Sequence, residues 1–282
     1  MGSLYVVATP IGNLSDMSER AIEILNSVDL IACEDTRTSS VLLKHFDINK
    51  KTVSYHKFNE IGKSSSLISE LLSGKNIALI SDAGCPCISD PGVIVVNEAI
   101  KNNIEVIGIP GACAFITALM VSGMDTSSFT FYGFLNRENK KITNELEKIK
   151  NDSSKLAIIY ESPKRVVNTL EKIMMVLDNP CVCICNDLTK KFERKYYGKV
   201  SEIIETLKQN EKAELGEYVI IIEKNHSEVI EKKEEISKEA LIVDEMIKNK
   251  CTMKDAIKIV SEKYHFPKNE VYNSSLNLKN NL

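Results

Sequence analysis

Four short apolar runs in the first half of the chain each stop abruptly in a loop of turn-forming and polar residues. Leu4 to Ala8 breaks at Thr9-Pro10-Ile11-Gly12-Asn13, and Asp29 to Cys33 runs into Glu34-Asp35-Thr36-Arg37. Ile77 to Ser81 opens onto a loop that ends in Asp90-Pro91-Gly92, and Glu105 to Ile109 stops at Pro110-Gly111. Runs of this length without an alternating polar face are what strands covered on both sides need. Helical spacing fills the gaps over residues 18–26, 38–46, 64–73, 93–102 and 112–122, with Ser15 and Asp16 as candidate caps for the first helix and Gly74 and Gly123 as stops. The alternation predicts an α/β fold with a mainly parallel sheet.

In a parallel sheet the carboxyl ends of the strands share one edge, so these loops are expected to meet over one cleft. The stretch IALISDAGCPCISDPG is the richest of them. Gly84, Pro86 and Gly92 fix a path along which backbone approaches a ligand, and Asp82 and Asp90 set carboxylates beside it. The plainer alternative is a tight turn with solvated aspartates. No GxGxxG follows the first run and no GxxxxGK[ST] occurs, so the ordinary dinucleotide and P-loop readings fail. What remains is a cleft for a nucleoside-like ligand held by backbone groups.

The second half starts a new series. Strands are expected at residues 129–134, 156–160, 181–185, 194–199 and 217–223, with helices at 136–152, 166–177 and 201–209. His226 to Glu235 is charge-dense and reads as a linker, and Ser237 to Leu282 shows helical patterns alone. The expected division is a parallel α/β domain over 1–125, a mixed-sheet α/β domain over 126–225, and a linker with a small helical tail over 226–282. A net charge of −3 gives no global attraction to nucleic acid, so an RNA partner would need a local basic patch. From Lys248 onward there are seven lysines against three acids, in a pattern open to a helix-turn-helix or to a solvated tail with Tyr264, Phe266 and Tyr272 as its core.

Cys85-Pro86-Cys87 and the alternating Cys181, Cys183 and Cys185 are not spaced like a zinc site, and no His lies close by. Burial is the expectation and no metal is expected, although alternate strand residues share a face and leave chelation open. Reduced thiols point to the cytoplasm. Met1-Gly2-Ser3 runs straight into a strand with no signal peptide, and no apolar run is long enough for a membrane span.

The wording of the loops adds an identification. VATPIGNLSDMSERA, ACEDTRTS, SDAGCPCISDPG, IPGACAFITAL, YESPKR and ELGEYVIIIE, in this order, resemble the 16S ribosomal RNA cytidine-2′-O-methyltransferases, the RNA-modifying branch of the tetrapyrrole methylases. The resemblance implies S-adenosylmethionine (SAM) held in a cleft between two α/β domains, a homodimer, and 16S rRNA or the small ribosomal subunit as partner. Carried over by position, Pro10 and Ile11 follow the first strand toward the cofactor. Ala83, Gly84, Cys85 and Ile88 match the Gly-Asp-Pro loop of the wider superfamily. Gly111, Cys113 and Ala114 match the small residues after Pro110, and Glu161 and Leu188 the contacts from the second domain. Cys85 stands where the branch usually has Thr, Ala112 where Pro is common, and Lys164 where His is usual.

Transfer to a ribose hydroxyl calls for aim, exclusion of water and an acceptor for the proton. Glu34 falls where the superfamily's proposed acceptor stands, with Asp35 and Asp82 as rivals. Arg37 is a candidate phosphate contact, and His56, Lys164 and Arg165 are candidate substrate contacts. The competing reading of Glu34 to Arg37 is a helix cap with a local ion pair. A methylase of small tetrapyrrole-like molecules and a non-catalytic RNA-binding protein stand as the alternative functions.

Overall fold

The computed structural model describes residues 1–224, 237–264 and 266–280. Two five-stranded sheets form one compact unit, Met1–Asn225, and the tail forms a second, His226–Leu282. The expected linker lies outside the described residues.

The first sheet holds β1 (Leu4–Val7), β2 (Leu30–Cys33), β3 (Thr52–Ser54), β4 (Ile77–Ile80) and β5 (Val106–Ile109), in the order β3-β2-β4-β1-β5 with every pairing parallel. β2 and β4 are buried at every position, which explains their unbroken apolar runs. Helices α1 (Glu19–Ser27) and α2 (Thr36–His45) bury Ala21, Leu25 and Leu43 on one face. On the other, α3 (Glu60–Leu72) and α4 (Val93–Lys101) bury Leu67, Leu71, Val95 and Ala99. The chain leaves β1 by crossing β4 to reach β2, and leaves β4 by crossing β1 to reach β5. Neighbouring strands whose connections depart in opposite directions open a crevice at their carboxyl ends, where such sheets bind ligands.

The starts of α1 and α3 differ from expectation for identifiable reasons. Ser18, not Ser15 or Asp16, caps α1 by accepting from the Ala21 amide, while Asn13 caps a separate 3-10 turn at Leu14–Asp16. α3 begins at Glu60 rather than Ser64, because Asn59 folds back to the His56 amide and starts the turn early.

The second sheet is mixed: β6 (Phe129–Phe134), β7 (Leu156–Glu161), β8 (Cys181–Asn186), β9 (Arg194–Lys199) and β10 (Tyr218–Glu223), ordered β6-β7-β10-β8-β9. β6 pairs parallel with β7, and the remaining pairings are antiparallel. Helices α6 (Asn139–Asn151), α7 (Val166–Leu177) and α8 (Val200–Lys208) cover one face. The other is covered by α5 (Ala114–Ser122), whose Ala118 and Leu119 pack with Ile158, Cys183, Cys185 and Ile221. α5 follows β5 yet packs on the second sheet, and its sequence is apolar on nearly every side although Ile116 and Met120 stay exposed. Cys183 and Cys185 are part of that apolar layer, their sulfurs 3.9 Å apart.

The tail holds α9 (Lys238–Asn249), α10 (Met253–Lys263) and α11 (Lys268–Asn280). Its core is Leu241, Ile242, Ala256, Ile257, Val260 and Val271. Tyr264 and Tyr272 are exposed and only Phe266 packs against this core, so the aromatic core expected from sequence is replaced by an aliphatic one. No described helix is long and apolar enough to cross a membrane.

Candidate active site

The crevice between β1 and β4 is closed into a defined shape by a two-residue bridge. The Thr9 amide donates to the Gly84 carbonyl at 2.8 Å, and the Gly84 amide returns to the Thr9 carbonyl at 3.0 Å. Thr9 Oγ1 also donates to the Ser81 carbonyl at 3.2 Å. Gly84 has φ +80°, and a Cβ there would lie 3.3 Å from Ile11 Cγ2, so the turn needs a residue without one. Beyond it Cys87 and Ser89 also take left-handed backbone, at φ 71° and 64°. Two non-glycine residues in that region within one loop mark a segment whose path is imposed by its surroundings.

The loop borders a cavity of about 460 Å³, within the range of small-molecule and cofactor sites. Ile11, Ala83, Gly84, Cys85, Ile88, Cys113 and Ala114 line it from the first sheet's edge. Phe134, Tyr160, Ser162, Glu217 and Tyr218 line it from the second. The Phe115 amide donates to Tyr160 Oη at 3.3 Å, which ties the start of α5 to β7 across the cavity. A hydrogen bond from the Cys85 thiol brings Cys113 down to about 6, and the same contact pushes Cys85 up.

The electrostatics are one-sided. Glu34, Asp82 and Asp90 all face the cavity, and among the described residues no Lys or Arg lines it. Burial, then the neighbouring Asp82 charge, pushes the Glu34 carboxyl up. Burial, then Glu34 and Asp82, pushes Asp90 up to about 7. Such a wall favours a cationic ligand and opposes a polyphosphate.

Other candidates sit elsewhere. Asp35 is the N-cap of α2, accepting from the Arg37 amide at 2.8 Å and pairing with its guanidinium at 2.6 Å, so Arg37 holds it down to about 2. That is the cap-and-ion-pair reading of this segment. The Asp35 amide donates to Asp82 Oδ1 at 3.1 Å, so the cap also fixes a carboxylate of the cavity. His56 stands close enough to Glu34 to ease its charge, and its Nδ1 accepts from the Phe58 amide. Pro10 lines an adjoining groove, Gly111 packs against Ala8, and Leu188 is buried with Ile11 in the apolar layer under α5.

Glu161 borders the cavity, but its side chain is wholly buried and satisfied. It accepts from Thr169 Oγ1 at 2.6 Å and from the Ser162 amide at 2.7 Å, and lies 3.3 Å from Arg165 Nη2. Arg165 also donates to the Asn136 carbonyl at 2.8 Å, so both residues bind the second sheet together, while Lys164 is exposed. Sequence reasoning passed over Phe134, Tyr160 and Glu217 as lining residues. Tyr160 opens the quoted YESPKR and Glu217 lies within ELGEYVIIIE, so both stood inside the motifs at strand ends.

Residues 3–204 match the family model for tetrapyrrole (corrin/porphyrin) methylases. Over 276 residues the chain is 44% identical to a ribosomal RNA small subunit methyltransferase I of Halalkalibacterium halodurans, covering 96% of this chain and 94% of the relative. It is 41% identical to the protein of that name in Bacillus subtilis, covering 97% and 94%. Among solved structures, a diphthine synthase superposes with a TM-score of 0.62 over 79% of this chain and 90% of its own, at 14% identity. A uroporphyrin-III-C-methyltransferase from Thermus thermophilus gives 0.56 over 79% and 95%, also at 14% identity. These two likenesses establish the fold.

Proposed function

The chain belongs to the tetrapyrrole (corrin/porphyrin) methylase family, and from that premise we propose that it methylates the 2′-hydroxyl of a cytidine in small-subunit ribosomal RNA. It is a SAM-dependent methyltransferase, and we infer that it works in the cytoplasm as a homodimer. The observation that carries the RNA reading is the near full-length likeness to relatives named for that substrate class.

The cavity suits the cofactor. A sulfonium and an ammonium are cations, and the lining offers carboxylates and no opposing Lys or Arg among the described residues. In this reading the backbone of Ala83, Gly84, Cys85, Cys113 and Ala114 holds the polar edges of the nucleoside. Ile11 and Ile88 supply apolar contact, with Leu188 packed behind Ile11. When bound, SAM supplies an electrophilic methyl group.

The chain's own residues do the rest. Glu34 takes the proton of the ribose hydroxyl, because its raised pKa makes its carboxylate a stronger base than that of an exposed glutamate. Asp82, fixed by the Asp35 amide, orients the acceptor beside it. Ile88 and Phe134 at the rim exclude water. Holding the two reactants in line is the larger part of the rate gain. Incubation with tritiated SAM and small ribosomal subunits tests this reading. Label in a cytidine ribose supports it, and label confined to porphyrin precursors or absent from RNA refutes it.

A further inference from the structure

A second concavity of about 590 Å³ adjoins the cofactor cavity. The two share Ile11, Asp82, Ala83 and Glu217, so they are neighbouring compartments across one septum. The second has an apolar floor from Pro10, Leu14, Val41 and Leu42, with the hydroxyl residues Thr38 and Ser81 on its sides. Its charge pattern differs from its neighbour's. Lys190 lines it, the one cation on either lining among the described residues. Lys190 Nζ stands 2.8 Å from Asp187 Oδ1 and 3.0 Å from Glu217 Oε2. The Glu217 side chain is 74% exposed, so an incoming anion displaces it at little cost. Gly12 makes room for the lysine stem, since a Cβ there would lie 2.4 Å from Lys190 Cγ.

We propose that this groove is the acceptor compartment, which seats the target nucleoside on its apolar floor and binds the adjoining RNA phosphate through Lys190. The proposal rests on the methyltransferase reading above. An in-line displacement requires the nucleophile to approach the methyl group from the side away from its leaving group. The acceptor therefore needs a compartment separate from the cofactor's but open to it, and this groove meets that need with Asp82 on the shared border, the ribose reaching across that border to Glu34 in the cofactor cavity. A nucleobase presents an apolar face and polar edges, and an RNA phosphate presents a single negative charge. The groove offers a counterpart to each.

Three variants test it. Val41→Trp fills the groove from a helix position that is 68% exposed, so the fold tolerates it. Lys190→Ala removes the cation, and Lys190→Arg restores it. Three quantities are measured: anisotropy of a fluorescein-labelled cytidine-containing oligoribonucleotide from small-subunit rRNA, SAM affinity by calorimetry, and KM with kcat. Val41→Trp is expected to weaken oligonucleotide binding by about tenfold or more with SAM affinity unchanged. Lys190→Ala should raise the RNA KM by about tenfold and cut the salt slope of binding by about one, with Lys190→Arg recovering most of both. Unchanged oligonucleotide affinity and KM in both Val41→Trp and Lys190→Ala would overturn the proposal, as would SAM affinity falling in step with RNA affinity. A wild-type protein that transfers no label to RNA would instead sink the functional reading itself.

Discussion

An acid reaches the cavity from each sheet, and the two are built in opposite ways. Glu161, at the end of β7, is buried and fully satisfied by Thr169, the Ser162 amide and Arg165. Asp90, in the loop after β4, is partly buried beside Glu34 and Asp82, and among the described residues no Lys or Arg shares the lining with it. Buried carboxylates that serve a fold are hydrogen-bonded and paired, because an unpaired one costs more than its contacts return. A cluster left without a cation is expensive to keep, and a cationic ligand relieves that cost. In the proposed reading the buried acid of the second sheet serves the fold, and the edge of the first sheet supplies the working groups.

The strongest challenge to that division is Glu34→Gln. It should lower kcat by about 10²–10⁴-fold with SAM affinity nearly unchanged, as measured by single-turnover transfer and calorimetry. In the wild type the activity should fall as pH drops through a value above the ordinary glutamate pKa of 4.5, because the base must be ionised, and that limb should vanish in the variant. Arg165→Ala attacks the other side of the contrast. It leaves Glu161 buried without its cation, a loss of about 3–5 kcal/mol, read as a melting temperature lower by roughly 10 °C.

Smaller effects refine the picture. Gly84→Ala forces a side chain onto left-handed backbone and toward Ile11, at about 1–2 kcal/mol, and should weaken SAM binding as well as stability. Asp90→Asn should stabilise. The Asp90 pKa is raised from 3.8 to about 7, so between those values the unfolded chain releases a proton that the folded chain keeps. Stability is lost as pH rises through that window, and the loss is complete above it. The group is partly exposed, and after discounting for solvent screening the gain is about 1 kcal/mol, or some 2–4 °C at pH 8, vanishing near pH 4. A melting series in pH reads it directly.

Much of the first sheet was legible because each strand is a run of apolar residues stopped by Gly, Pro or Asp, and such punctuation is local. Parallel topology alone brought together the loops that carry Ile11, Ala83 to Cys85, Cys113 and Ala114, and the family resemblance singled out those residues within them. What escaped was decided by partners far off in the chain or hidden in turns. Nothing in YESPKR shows that Arg165 turns back onto Glu161 through a 3-10 turn, with Thr169 on the next helix, so the way this carboxylate is anchored was not legible. Asp35 carried two readings, a rival base and a cap with a local ion pair, and the structure shows the cap and the pair. α5 fell inside the expected first domain, 1–125, whereas it packs on the second sheet, a choice that only the assembled core reveals.

In the proposed reading the cleft selects a cation through carboxylates that, among the described residues, no Lys or Arg of the lining opposes. Calorimetric titration of the intact protein with SAM and, separately, with ATP tests it most directly, since both carry adenosine and differ in the sign of charge. The account predicts uptake of one SAM per chain and none of ATP. Saturable ATP binding, or no heat with SAM, would contradict it.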